Sequence, residues 1–214
     1  MKKPEMLNLI YEMLAKALDG TGFRLKKSEQ AFVRQFPGGR QMLGLPLWDY
    51  NPEFEFSLNI CIRLDAVEQI FHLFSLAEPK YHAVSDTTIT RLEYFTGAPG
   101  TFKVITAADV ASAGSTLSKT LKEKIMPFFS ANEEPKALDR AANRQQPGID
   151  VTQPPSGLMH RLILARLAGN PEFEQLVQRY LWEMRSFAEA DKERFQNLVQ
   201  HLRSGLEKGS AVGA

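Results

Sequence analysis

The side chains with which this sequence could do chemistry are few: 4 histidines, 1 cysteine and a scatter of carboxylates. His72, His82, His160 and His201 are spaced too widely for a His-Glu-x-x-His helix or any short ligand pair, so no metal site is expected. His72 falls on a predicted helix beside Phe71 and Phe74, where a lone histidine reads as a packed or solvent-facing residue. His82 lies near Ser85 and Asp86, the residue types of a nucleophile, its base and an orienting acid. Sequence neighbours rarely meet in that geometry, and the segment reads as a polar loop. Glu53 and Glu55 stand two apart on a predicted strand and project from one face, as a carboxylate pair in a glycosidase or metal site would. Ser57, Asn59, Cys61 and Arg63 share that face, and a solvated outer sheet face accounts for the whole set. Neither Pro37-Gly38-Gly39-Arg40 nor Gly97-Ala98-Pro99-Gly100 has the Gly-Lys-Ser/Thr end of a phosphate loop, and no serine sits in Gly-x-Ser-x-Gly. No catalytic residue, metal ligand or cofactor is assigned. Whether the chain is an enzyme stays open, with the balance against it.

Charge and composition narrow the partners. Lys and Arg number 26 against 25 Asp and Glu, too balanced for a protein whose main work is coating nucleic acid or an anionic membrane. Basic residues do gather in Arg24, Lys26, Lys27, Arg34 and Arg40, but Phe32, Phe36 and Trp48 nearby have core-like spacing and form no alternating stacking platform. For this cluster a solvated strand comes first, an acidic protein partner second and nucleic acid third. Trp48-Asp49-Tyr50 places large aromatics in a predicted turn, and aromatics anchor protein interfaces, so this turn is the candidate contact point. A single cysteine fits a reducing compartment. The start, Met1-Lys2-Lys3-Pro4-Glu5, leads into an amphipathic segment broken by Asn8, Glu12 and Lys16 and not into an apolar signal core, and no stretch approaches a membrane span. A cytoplasmic location is expected.

The elements that must position these residues follow from periodicity. Met6 to Leu18 carries apolar residues at three- and four-residue spacing, an amphipathic helix stopped by Gly20 and Gly22. Phe23 to Phe36 changes to an alternating pattern, and Pro37-Gly38-Gly39 turns it into a hairpin. From Phe54 to Leu64 every even residue is a large hydrophobe, which predicts one continuous strand with a polar face of Glu55, Ser57, Asn59 and Arg63. Asp65 with Glu68, and Thr106 with Asp109, have the spacing of capping boxes. The second opens a helix to Met126, where Pro127 would end or kink it. Glu78 to Phe102 reads as short strands, and 144–157 is a Pro/Gly-rich linker. Beyond it the pattern is helical, with Asn170-Pro171 as a start signal. The fold class expected is α+β: a four- to five-stranded antiparallel sheet with helices on one face, plus a C-terminal helical subdomain. The corresponding divisions are 1–130, a helix and linker over 131–156, helices over 157–208 and a frayed tail from 209.

Gly22-Phe23-Arg24-Leu25-Lys26-Lys27, the aromatic hairpin segment Phe32-Val33-Arg34-Gln35-Phe36, the strand from Phe54 to Ile62 and Met126-Pro127-Phe128-Phe129 resemble the bacterial domain-of-unknown-function family 4304. The resemblance covers about the first 130 residues and not the C-terminal helices. It implies a bacterial protein, carries no catalytic set, and points to immunity-type proteins that neutralise a toxin.

These observations together predict a protein-binding module, in its most specific form an immunity- or antitoxin-like inhibitor. Its partner, a toxin or effector protein, would meet either the face of Glu55, Ser57, Asn59 and Arg63 or the turn of Trp48, Asp49 and Tyr50. The alternative is a small-ligand protein or enzyme with a pocket between the sheet and the C-terminal helices, using His82, His160 or His201. A structural subunit would instead expose apolar surface around Trp182, Phe187 and Phe195.

Overall fold

The computed structural model describes residues 1–97, 100–143 and 154–209, without the side chains of 206–209. Most of the expected linker and the tail beyond 209 lie outside the described residues, as do Ala98 and Pro99. The fold is α+β with antiparallel strands and a helical C-terminal half. By contact the described chain divides into two compact units, residues 1–62 with 88–133, and residues 63–87 with 134–143 and 154–209. Segment 63–87 thus belongs with the C-terminal helices, across the boundary drawn at 130 from sequence.

In the first unit, helix α1 (Lys3–Ala17) precedes strands β1 (Arg24–Lys26), β2 (Ala31–Phe36) and β3 (Gly39–Gly44). β2 and β3 form the expected hairpin, closed by Gly38 at φ +87°, a conformation costly to residues with a Cβ. Leu47–Asp49 is strand β4, Phe54–Phe56 is β5 and Asn59–Leu64 is β6, which runs to the edge of this unit. Thr88–Arg91 is β7, the short helix α4 (Leu92–Thr96) follows it where the sequence reads as strand, and Phe102–Val104 is β8. They make two sheets: five strands in the order β1-β2-β3-β6-β7, and three in the order β4-β5-β8.

This corrects the single strand read over Phe54 to Leu64. Apolar alternation continues through Phe54, Phe56, Leu58, Ile60, Ile62 and Leu64, all buried, but the chain changes sheets at Ser57-Leu58. Ser57 turns inward, its N–H donating to Pro46 O (3.3 Å) and its hydroxyl to Gly100 O (2.8 Å). Bonds to segments outside a single ladder redirect the strand without breaking its hydrophobic period.

Helix α5 (Ala107–Thr120) opens with the expected capping box of Thr106 and Asp109. It packs against α1, and Gly114 permits the approach, since a Cβ there would lie 2.7 Å from Met13 Cγ. Pro127 does not end the helical run. A π-helical turn over Leu121–Ile125 leads into α6 (Met126–Ala131). The wider turn accommodates a proline that supplies no N–H to the residue four earlier. It also keeps a stripe in register. In an unbroken α-helix, positions four apart drift by roughly 40° per step, yet Leu117, Leu121, Ile125 and Phe129 are all buried.

The second unit contains α2 (Asp65–Phe71), α3 (Pro79–His82), α7 (Pro135–Asn143), α8 (Ser156–Leu167), α9 (Phe173–Glu183) and α10 (Glu189–Gly209). α8 is apolar on several sides and buries Leu158, Leu162, Ile163 and Leu164 among its neighbours. Asn170 does not cap α9 directly: its side-chain oxygen accepts from Glu172 N–H (2.8 Å) in a turn one residue before the helix begins.

Candidate functional site

Two clusters have the residue types for function, one on each unit. The first is the outer face of the three-stranded sheet. Register places Trp48 opposite Glu55 and Glu55 opposite Lys103, one row across the three strands. The alternate row, Leu47, Phe56 and Phe102, turns the other way, with Leu47 and Phe56 buried and Phe56 stacked on Phe102 at 5.2 Å. Trp48 is 44% exposed, Tyr50 60% and Ile105, just past β8, 48%. Trp48 therefore lies on a strand and not in a turn, and it does not cap the core. Lys103 Nζ bridges Glu53 (2.9 Å) and Glu55 (3.1 Å), and these carboxylates hold its ammonium above its ordinary pKa. A lysine between two acids gives a locally compensated row beside open aromatic rings. Asp49 Oδ1 accepts from Asn51 N–H at 3.1 Å, which shapes the turn that follows.

The remaining expected contact residues do not join this face. Ser57 is buried in the crossing between sheets. Asn59 opens β6 opposite Arg91 in the larger sheet. Arg63 donates to Asp65 Oδ1 (2.7 Å), His82 O (2.8 Å) and Ser85 O (3.0 Å), holding a loop of the second unit. Cys61, expected on the polar face, is buried. The continuous polar face thus does not exist, because its residues are divided between two sheets and a loop clamp. Of the basic cluster, Arg34 lies over Phe23 at 5.0 Å and donates to Gln41 Oε1, while Arg40 pairs with Glu29.

The second cluster surrounds Glu68, whose side chain is fully buried. Glu68 was expected to cap α2 with Asp65; instead Asp65 pairs with Arg63, and Glu68 turns into the interior of the second unit. Its Oε1 accepts from Thr87 Oγ1 (2.8 Å) and His160 Nε2 (3.0 Å), and its Oε2 from Ser85 Oγ (2.6 Å). Burial alone would raise its pKa, but the His160 hydrogen bond and charge, with Ser85 and Thr87, outweigh it and hold the carboxyl at about 2. His160 Nδ1 lies 3.0 Å from Ser156 O, so both ring nitrogens face oxygen atoms. The result is a buried carboxylate–imidazole contact, with Phe71 stacked on His160 at 4.0 Å.

His72 completes the cluster. Its Nε2 lies 2.8 Å from Ser85 Oγ, its Nδ1 3.0 Å from Ser75 Oγ, and its ring is stacked on His82 at 3.8 Å. Burial lowers its pKa against the pull of Glu68, and His82, Arg63 and His160 lower it further. A serine, a histidine and an acid are thus together, but not in the order of a nucleophilic triad. Ser85 gives its proton to Glu68 directly, and His72 reaches the serine without touching the acid through its far nitrogen. Ser85 Oγ also accepts from Arg63 (2.8 Å), so the hydroxyl is saturated. Sequence spacing offered no signal for this cluster, since Glu68 and His160 stand 92 residues apart. His201 stays outside it, edge-on to Phe74 at 5.4 Å.

Among the described residues no three His, Cys, Asp or Glu side chains come together as metal ligands, and no helix is long and apolar enough to cross a membrane. No family model, curated protein or solved structure matches the chain.

Proposed function

We propose that this is a protein-binding module whose contact surface is the outer face of the three-stranded sheet, with Trp48 and Tyr50 as anchors. The observation that carries the reading is exposure of two large aromatics on one face of a sheet whose opposite face is packed. Apolar rings held open on a rigid strand gain more from a partner's surface than from water. The resemblance to family 4304 supplies the more specific form, an immunity- or antitoxin-like protein of the bacterial cytoplasm that covers the active site of a toxin or effector. The test is affinity capture of the tagged protein from its native lysate, run in parallel with Trp48→Ala and Tyr50→Ala. One stoichiometric protein held by the wild type and lost by both variants supports the reading, and its activity with and without the module tests inhibition. Capture that is indifferent to both substitutions removes this face.

A second reading, a small-ligand protein or enzyme, draws on a cavity of about 340 Å³ in the second unit, lined by Phe71, Ser75, Met159 and Arg194. Ser75 and Phe71 connect it to the Glu68 cluster. A metabolite thermal-shift screen tests it: a hit lost on Ser75→Leu places the ligand there.

A further inference from the structure

Among the described residues the three-stranded sheet ends in an unpaired edge, and its hydrogen-bond phase says what fits there. β4 lies at the end of the order β4-β5-β8. Two bonds set the phase of its ladder with β5: Tyr50 N–H donates to Glu53 O (2.9 Å), and Ser57 N–H donates to Pro46 O (3.3 Å). Antiparallel ladders alternate, so the bonded pairs are Pro46 with Ser57, Trp48 with Glu55 and Tyr50 with Glu53. Leu47 and Asp49 fall between them, and their N–H and C=O groups point out of the sheet. Among the described residues these groups take no backbone partner.

We infer that β4 pairs with β4 of a second copy of this chain, antiparallel about a two-fold axis through Trp48. In that register Leu47 stands opposite the second copy's Asp49 and Asp49 opposite its Leu47. Each outward N–H meets an outward C=O, and both edges are satisfied at once. The arrangement is isologous, so it closes at two copies. Trp48 meets its own copy across a non-hydrogen-bonded pair, where side chains approach most closely. Tyr50 comes opposite the second copy's Pro46 on the same outer face. Asp49 opposite leucine keeps the two carboxylates from facing each other, and Lys103 already compensates Glu53 and Glu55. The product is one continuous sheet with its aromatic rings gathered at the centre. This inference does not rest on a heterologous partner; it holds or fails with the chain alone.

Multi-angle light scattering from low- to high-micromolar concentration reads it directly, and a concentration-dependent dimer is expected. Asp49→Pro removes one outward N–H and leaves the ladder to β5 intact, so it raises the dissociation constant at least roughly tenfold. Trp48→Lys sets two ammonium groups face to face and does the same without touching the backbone, while Trp182→Lys on the second unit leaves the dimer unchanged. Trp48→Cys places two thiols at Cα atoms about 4.5 Å apart, within disulfide reach, and mild oxidation yields a covalent dimer. The wild-type chain, whose Cys61 is buried, does not cross-link. A monomer at every concentration overturns the inference. So does a dimer that survives both Asp49→Pro and Trp48→Lys, or one that Trp48→Cys fails to trap.

Discussion

The Glu68 cluster and the Trp48 face are opposites in how they treat their functional groups. Around Glu68 each carboxylate oxygen takes a donor, both His160 nitrogens are bonded and the serine hydroxyl is saturated. On the small sheet two aromatic rings of the outer face and, among the described residues, a backbone edge are left open. A cluster rich in catalytic residue types can therefore be the more structural of two regions, because chemistry needs an atom free to meet a substrate. The open face has ordinary residue types but unfilled valence toward a partner.

Substitution separates the two most sharply at Glu68. Glu68→Ala takes the shared carboxylate from His160, Ser85 and Thr87 in a buried site and is expected to cost about 3 kcal/mol in denaturant unfolding. Trp48→Ala, at a site exposed in the single chain, should stay within about 0.5 kcal/mol of wild type in the same assay run below the concentration at which dimers form. Binding reverses the order: Trp48→Ala is expected to cost about 2–4 kcal/mol of affinity for a captured partner, and conservative changes at Ser85 should cost none. If Glu68→Ala unfolds no more easily than wild type, the network is not the clamp described here.

Acid titration sharpens the same contrast. Glu68 has its pKa lowered from 4.5 to about 2 on folding, so its contribution is present above the unfolded value and lost as pH falls through the window from 4.5 to 2. His72 is also lowered from 6.5, so the unfolded chain takes up its proton first and stability begins to fall as pH drops below 6.5. Melts of wild type and Glu68→Gln from neutral pH downward should converge as the lower window is crossed, by about 3 kcal/mol over that range. A gap that is independent of pH would contradict an ionised Glu68.

The smallest effects come from adjacent threonines of opposite sign. Thr87 Oγ1 donates to Glu68 and accepts from Leu64 N–H at 3.0 Å, so Thr87→Val strands a buried N–H, takes one donor from the carboxylate and costs about 2 kcal/mol. Thr88 and Thr90 are as deeply buried, yet their hydroxyls have no partner among the described residues. Thr88→Val and Thr90→Val are each expected to raise stability by about 1 kcal/mol, read as a higher Tm.

What was legible in the sequence was local. The α1 stripe, the turn at Gly38 and the box of Thr106 and Asp109 are set within a few residues, and the structure has them. The break at Ser57 was not legible, because hydrophobic alternation runs through it undisturbed and only the distant acceptors at Pro46 and Gly100 redirect the chain. Asp65 and Glu68 had the correct spacing for a cap, but a histidine far along the chain and two hydroxyls outbid a backbone amide for the carboxylate. Trp48 stood out in the sequence by residue type alone, while its place on an edge strand depended on pairings that no local pattern encodes.

The π turn at Leu121–Ile125 amounts to an α-helix carrying one surplus residue. Winding the same residues as an unbroken α-helix would rotate everything downstream by roughly 100°, carrying Phe129 off its buried stripe and with it the carbonyl that receives Gln41 Nε2 at 3.0 Å. The turn therefore works as a spacer that absorbs a surplus residue: excising one residue within it leaves Phe129 on its stripe, whereas excising one from the α-helical turns on either side does not, and the exposed side chains of Lys122 and Glu123 can be exchanged without effect on either.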